Sequence, residues 1–152
     1  MRARIAVAVL AAAAVSCGPS PDERLRQGVA TECGPVVDAF VAELDGGRLE
    51  AALARTTRAF QGAAAGESMR AVLESQRRAL GASRSRTVRE VESVVAEGDP
   101  PRAREAVVVL DATYERGRAV LRTRVQRDPA RGDWLVDGHE ARTDLFTWTY
   151  RK

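Results

Sequence analysis

Ala106-Val107-Val108-Val109-Leu110-Asp111-Ala112-Thr113-Tyr114, then Glu115-Arg116-Gly117, then Arg118-Ala119-Val120-Leu121-Arg122-Thr123-Arg124-Val125-Gln126-Arg127 is the run that decides the fold. Two stretches rich in β-branched and apolar residues flank a short polar segment ending in glycine, the pattern of an antiparallel hairpin. Side chains along a strand alternate between its two faces. Ala106, Val108, Leu110, Ala112 and Tyr114 thus share one face of the first strand. On the second, Ala119, Leu121, Thr123 and Val125 share a face, opposite Val120, Arg122 and Arg124. A sheet that is apolar on one side must bury that side against another layer.

The same grammar extends in both directions. Asp128-Pro129-Ala130-Arg131-Gly132 turns the chain into a strand from Asp133 to about Arg142, and Asp144 to Tyr150 makes a fifth strand or a tail. Upstream, Glu97-Gly98-Asp99-Pro100-Pro101 is a turn, preceded by a β-branched stretch from Arg86 to Ala96. Before Gly81 the period is helical. Met69, Val72, Leu73, Gln76 and Leu80 form one stripe, and Gly81 sits where a left-handed C-cap belongs. Gln61 to Gly66 reads as a loop and Leu49 to about Thr57 as a helix with Leu49, Ala52 and Leu53 inward. The main helix is expected to start at Pro35, because proline is well tolerated at the first helical position. Its stripe is Val36, Val37, Phe40, Val41 and Leu44, and Gly46-Gly47 stop it. Asp22 is placed to cap a short helix through Leu25 and Val29. Helices first and strands after predict an α+β domain, residues 35–152, with helices on one face of an antiparallel sheet of about four strands.

The N-terminus carries a different message. Arg2 and Arg4 precede eleven unbroken apolar residues from Ile5 to Val15, followed by Ser16-Cys17-Gly18. A charged start, an apolar stretch of this length and small residues at its end make a secretory signal, residues 1–16, too short to span a bilayer. Residues 17–34 then hold a tether, Cys17-Gly18-Pro19-Ser20-Pro21, and the short helix. Ala14-Val15-Ser16-Cys17 resembles the lipobox of bacterial lipoproteins, with Ala14 where the box usually carries Leu. The resemblance implies a lipid-modified Cys17 at the mature N-terminus and attachment to a bacterial membrane. Gly18 in place of Asp after the cysteine implies an outer membrane, facing the periplasm, where the organism has one.

The bulk numbers exclude more than they assign. The chain has 24 basic and 21 acidic residues, and two of the basic ones, Arg2 and Arg4, leave with the signal. Acids and bases interleave along the remainder, so no basic face for nucleic acid is expected. Lys152 is the only lysine, Ile5 the only isoleucine, and asparagine is absent, a bias of GC-rich coding that weakens any argument from abundant arginine. Arg84, Arg86 and Arg89 form the densest basic cluster, read as a solvated strand face, with an anion site as the alternative. Cys33 falls on the stripe with Val37, Phe40, Val41 and Leu44, which favours a buried thiol over an intermolecular bridge.

Three N-terminal helices, the third ending Ala79-Leu80-Gly81, precede a meander whose last strand reads Trp134-Leu135-Val136-Asp137-Gly138. Over roughly Pro35 to Arg142 this order resembles the uncharacterised exported families of the nuclear-transport-factor-two-like superfamily. The resemblance implies a cone-shaped α+β fold, a pocket between sheet and helices, and in some members a dimer through the sheet's outer face. Fold alone does not decide whether such a pocket works.

Strand parity tests for chemistry. Continued through the fourth strand, it places Trp134, Val136, Gly138 and Glu140 inward, and Asp133, Leu135, Asp137 and His139 outward. Glu140 and Tyr114 are then the only useful acid/base groups on the inner face, with Trp134 as a structural residue or a wall of the pocket. Two readings stand: rim residues in water, or a small pocket enzyme using Glu140 or Tyr114 as its acid/base. One histidine and one cysteine besides Cys17 cannot assemble a Cys/His zinc site, and no cofactor motif is present, so neither metal nor cofactor is expected. Phe146, Trp148 and Tyr150 alternate near the C-terminus. They are read either as a plug for the core or as an aromatic stripe for a second copy, an envelope protein partner or the membrane surface. The leading expectation is a lipid-anchored binding or interaction module.

Overall fold

The computed structural model describes residues 18–64 and 67–150, with side chains 63–68 left aside; the expected signal segment and Cys17 lie outside the described residues. Helix α1 (Pro21–Asp45) is followed by α2 (Leu49–Leu53), α3 (Arg58–Ala64) and α4 (Glu67–Leu80). Strands β1 (Ser83–Glu97), β2 (Arg102–Tyr114), β3 (Gly117–Arg127), β4 (Trp134–Arg142) and β5 (Thr147–Tyr150) form one antiparallel sheet in sequence order. The architecture is α+β, with helices against an open meander of five strands where about four were expected, the fifth being the segment read as a strand or a tail.

α1 corrects the expected helix start. It begins not at Pro35 but at Ser20, whose hydroxyl accepts from Glu23 N (3.2 Å) while Glu23 Oε2 accepts from Ser20 N (2.6 Å). This reciprocal capping box satisfies two otherwise free backbone donors. The helix then runs on through Gly34-Pro35, because Val29, Cys33, Val37, Phe40, Val41 and Leu44 form one unbroken buried stripe across the proline. Proline inside a helix costs about 3 kcal/mol. Burying the turns on its N-terminal side returns a comparable amount, at about 1.5–3 kcal/mol for a side chain the size of valine. The split at residues 34 and 35 therefore falls inside one helix, and residues 21–34 belong to the domain.

Gln61 to Ala64 is likewise helical rather than loop, as the end of α3. The expected helix from Leu49 to Thr57 stops at Leu53, and Arg55 to Thr57 instead docks beside β4. Thr57 N donates to Val136 O (2.9 Å) and Val136 N to Arg55 O (3.0 Å), covering the half of the β4 edge that β5 leaves open. Gly81, at φ +76°, ends α4 as its position predicts, a left-handed conformation that costs glycine least. No helix among the described residues is long and apolar enough to cross a membrane.

The core lies between α1 and the sheet. Val108, Leu110, Leu121, Val125 and Val136 meet Val37, Phe40, Val41 and Leu44, and α4 closes the β5 end with Met69, Leu73 and Leu80. The inner faces predicted for β2 and β3 are the buried ones. In β4 the parity changes halfway. Arg124 pairs with Gly138 but Val125 with Val136, so Asp137 is an extra residue without a partner in β3. Such a bulge reverses the facing of everything beyond it. Trp134 and Val136 remain inward, but His139 and Ala141 now point into the core, while Glu140 lies opposite Arg122 on the outer face. The expectation of an outward His139 and an inward Glu140 is overturned by this single residue.

Candidate functional site

The inner face carries a line of largely buried polar side chains beneath α1 and α4. At one end Arg86 of β1 donates through Nε to Asp38 (2.9 Å) and through Nη1 to Asp45 (2.7 Å), both on α1. Asp45 Oδ1 also accepts from the hydroxyl of Tyr114 at 3.2 Å. Burial raises the Asp45 carboxyl above its usual range, with Arg86 working against that rise. Burial opposes the charge of Arg86 as well, yet its two carboxylate partners hold its pKa above the ordinary arginine value. Tyr114 is thus not a rim residue in water; it is buried, and desolvation followed by the neighbouring Asp45 charge pushes its phenol up. It holds a proton firmly and serves as a donor rather than a base.

Further along, Tyr150 donates to Gln76 Oε1 of α4 at 2.7 Å, and its ring lies 5.5 Å from that of His139. His139 is fully enclosed. Its Nδ1 is hydrogen-bonded to Thr123 Oγ1 (2.9 Å), Phe40 stands edge-on to it at 5.3 Å, and Nε2 has no hydrogen-bond partner among the described residues. Desolvation brings its pKa down to about 3, so the imidazole is neutral throughout the physiological range. These groups are interleaved with Phe40, Phe60 and Leu121, which fill the space a pocket would need. Sequence reasoning missed His139 because no local signal announces the bulge before it.

At the opposite end Trp134 donates from Nε1 to Glu32 Oε2 (2.9 Å), and Arg127 both pairs with Glu32 and stacks over the indole at 4.5 Å. The Trp134 hydrogen bond is the main reason the Glu32 carboxyl is held below its usual range. Arg127 also reaches Ala103 O (2.9 Å) and Gly132 O (2.9 Å), so this cluster ties α1 to both turns at that end of the sheet. Trp134 is a buried structural residue with every polar contact used.

The outer face is a lattice of charges. Arg89 pairs with Asp111, Arg122 with Glu92 and Arg124 with Asp137. The first two pairs line a groove of about 880 Å³ together with Val120, Arg118 and Arg142. Glu140 lies on this side, half-buried, and takes no place in an inner-face site. Arg84, Arg86 and Arg89 do not act together: Arg86 turns in to α1, Arg89 turns out to Asp111, and Arg84 stays in solvent.

The aromatic alternation also divides. Trp148 and Tyr150 are core, with Trp148 Nε1 donating to Ser75 Oγ of α4 (3.2 Å), so these two are not available to a partner as an exposed stripe would be. Phe146 remains 60% exposed and Leu145 83%. No group of three or more His, Cys, Asp or Glu is arranged to hold a metal among the described residues. Of the three expected ligand-binding residues, Tyr114 and Trp134 lie at opposite ends of the inner layer and Glu140 on the other face.

Residues 37–139 match the model of a family described as protein of unknown function, DUF4019. No curated protein and no solved structure matches the chain. The matched span takes in the buried stripe of α1 from Val37 onward, the shorter helices and the meander as far as His139, well over half of the sequence. The chain belongs to the DUF4019 family.

Proposed function

We propose that this chain is an exported cell-envelope protein, anchored to a bacterial membrane through a lipid on Cys17, whose domain acts by binding a protein partner rather than by catalysis. The observation that supports binding is the filled inner face. The tyrosines are committed as donors to Asp45 and Gln76, the one histidine is sealed and neutral, and aromatic rings occupy the space between sheet and α1. General acid/base work needs a group that reaches a substrate proton with a pKa near the working pH. Tyr114 is enclosed and its phenol is pushed up, while Glu140 lies on the outer face.

In the same reading, the sheet packed against α1 is the cone of the nuclear-transport-factor-two-like superfamily with its pocket closed by Phe40, His139 and Tyr150. The anchor is supported by the leader and by Cys17. One acyl chain holds a protein only marginally, at about 0.8 kcal/mol per buried CH₂, so a stable anchor needs two or more. Cys17→Ser should release the domain from membranes. A variant that still sediments with membranes as the wild type does would end the anchoring proposal.

A further inference from the structure

We infer that the pole of the domain formed by the β2–β3 turn, the C-terminal end of α4 and the Thr143–Phe146 turn docks an acidic protein segment that carries an apolar side chain. The inference names the partner chemistry for the binding function proposed above and rests on that reading.

Leu145 and Phe146 are the most exposed large apolar residues of the described chain. Their exposure is built in. Thr143 N donates to Phe146 O (2.9 Å), and the Thr143 hydroxyl accepts from Phe146 N (3.0 Å) and Leu145 N (3.3 Å), closing a tight turn with both side chains on its tip. The Phe146 ring lies 5.8 Å from that of Trp148, which is itself anchored in the core. A partner meeting this turn therefore has little to order, which removes a principal cost of association.

The surroundings have the composition of an interface centre, aromatic and arginine-rich. Arg116 and Arg118 flank the groove that holds Leu145 and Phe146, and Arg77, Arg78 and Arg116 line the adjoining one. Over the sheet Arg86, Arg89, Arg104, Arg122, Arg124 and Arg127 are each paired with at least one carboxylate, whereas Arg84, Arg102 and Arg142 stand apart from one another without such a partner among the described residues. At this pole, among the described residues, Arg77, Arg78, Arg116 and Arg118 have none; Arg116 donates instead to the carbonyl of Arg78. Of the nearby acids, Glu115 is occupied as acceptor for Ala82 N (3.1 Å) and Asp111 is paired with Arg89, although its charge also reaches Arg118, leaving Glu74 and Asp144. Guanidinium groups without carboxylates call for carboxylates from outside.

Position selects a protein over a lipid surface. The capped start of α1 at Ser20 follows Cys17 by three residues, so the lipid holds that end of the helix close to the bilayer. The 25 residues of α1 extend roughly 37 Å at about 1.5 Å per residue. Its far end sits at the arginine pole, where Asp45 meets Tyr114 and Arg77 lies against Gly47. The pole is thus presented away from the anchoring membrane.

The test uses the mature chain with Cys17→Ser, so its result does not depend on anchoring, which the fractionation experiment judges separately. An array of nine-residue peptides rich in Asp and Glu with one Leu, Phe or Trp is compared with the same peptides carrying Lys for the acids, and with phosphatidylglycerol vesicles. Acidic peptides should bind, with amide NMR shifts confined to residues 77–82, 115–118 and 143–146. Leu145→Ser with Phe146→Ser should weaken binding at least tenfold at unchanged melting temperature, and Arg116→Glu or Arg118→Glu should do the same. Equal binding of acidic and basic peptides, shifts centred elsewhere, or no binding by any peptide would overturn the inference. Vesicle binding lost with the same substitutions would replace the protein partner by a lipid surface.

Discussion

His139 and Thr123 face each other across β4 and β3, imidazole Nδ1 2.9 Å from hydroxyl Oγ1, in the interior of the protein. The pairing exists because Asp137 is bulged out of β4, and Asp137 is held there by the Thr57 hydroxyl (2.7 Å) and by Arg124 (2.9 Å). One polar residue at the sheet surface thereby sets a buried histidine in the core.

Stability should fall in acid through His139. Its folded pKa of about 3 lies below the ordinary 6.5, so the unfolded chain binds the extra proton first. The contribution is complete above pH 6.5 and is lost progressively as pH drops toward 3, on the order of 5 kcal/mol over the window. Chemical denaturation at pH 7 and pH 4.5 measures it. His139→Gln should flatten the difference between the two pH values; an equal loss of stability in wild type and variant would assign the acid sensitivity to other groups.

Thr123→Val removes the one hydrogen-bond partner that His139 Nδ1 has among the described residues and should cost about 1–3 kcal/mol, the price of stranding a buried polar atom. In a His139→Phe background the same substitution should cost much less. A double-mutant cycle with no coupling between the two positions would show that the contact carries no net stability.

Trp134→Ala should destabilise by about 3–5 kcal/mol, since it opens a cavity between β4 and α1 and frees both Glu32 and Arg127. A melting temperature equal to that of wild type would mean the indole is solvent-exposed in solution.

Two neighbouring aromatics should respond in opposite ways. Tyr150→Ala should cost about 3–5 kcal/mol, because the ring is buried against His139 and its hydroxyl is bonded to Gln76. Phe146→Ala should stay within about 0.5 kcal/mol of wild type, as expected for an exposed side chain. Comparable losses at both positions in urea titrations would contradict this division of the tail.

Cys33 should be inert in the native protein. It is buried on α1, and desolvation, reinforced by Glu32, pushes its thiol up to about 12, so almost no thiolate is present at neutral pH. In a Cys17→Ser chain, iodoacetamide at pH 8 should label Cys33 only after denaturant is added, as read by mass spectrometry. Labelling of the folded protein within minutes would show that α1 opens.

Much of the fold was legible in the residues alone. The hairpin Ala106–Arg127, the turns at Gly98 and Gly132, and the cap at Gly81 follow from local chemistry, since alternation and glycine act over a few neighbouring residues. So do the buried faces of β2 and β3, where no bulge interrupts the pairing between them. Tertiary contacts decided the rest. α1 crosses Gly34-Pro35 because Val29 and Cys33 find a sheet to pack on, a gain that a local helix rule does not include. Arg55–Thr57 leaves the helical path to cover an open strand edge. Asp137 bulges because Thr57, 80 residues earlier, comes within hydrogen-bonding distance, and every side chain after it changes face. The candidate site was misread for the same reason: a strand's period is two, so one inserted residue exchanges His139 for Glu140, and only the partner strand records the insertion.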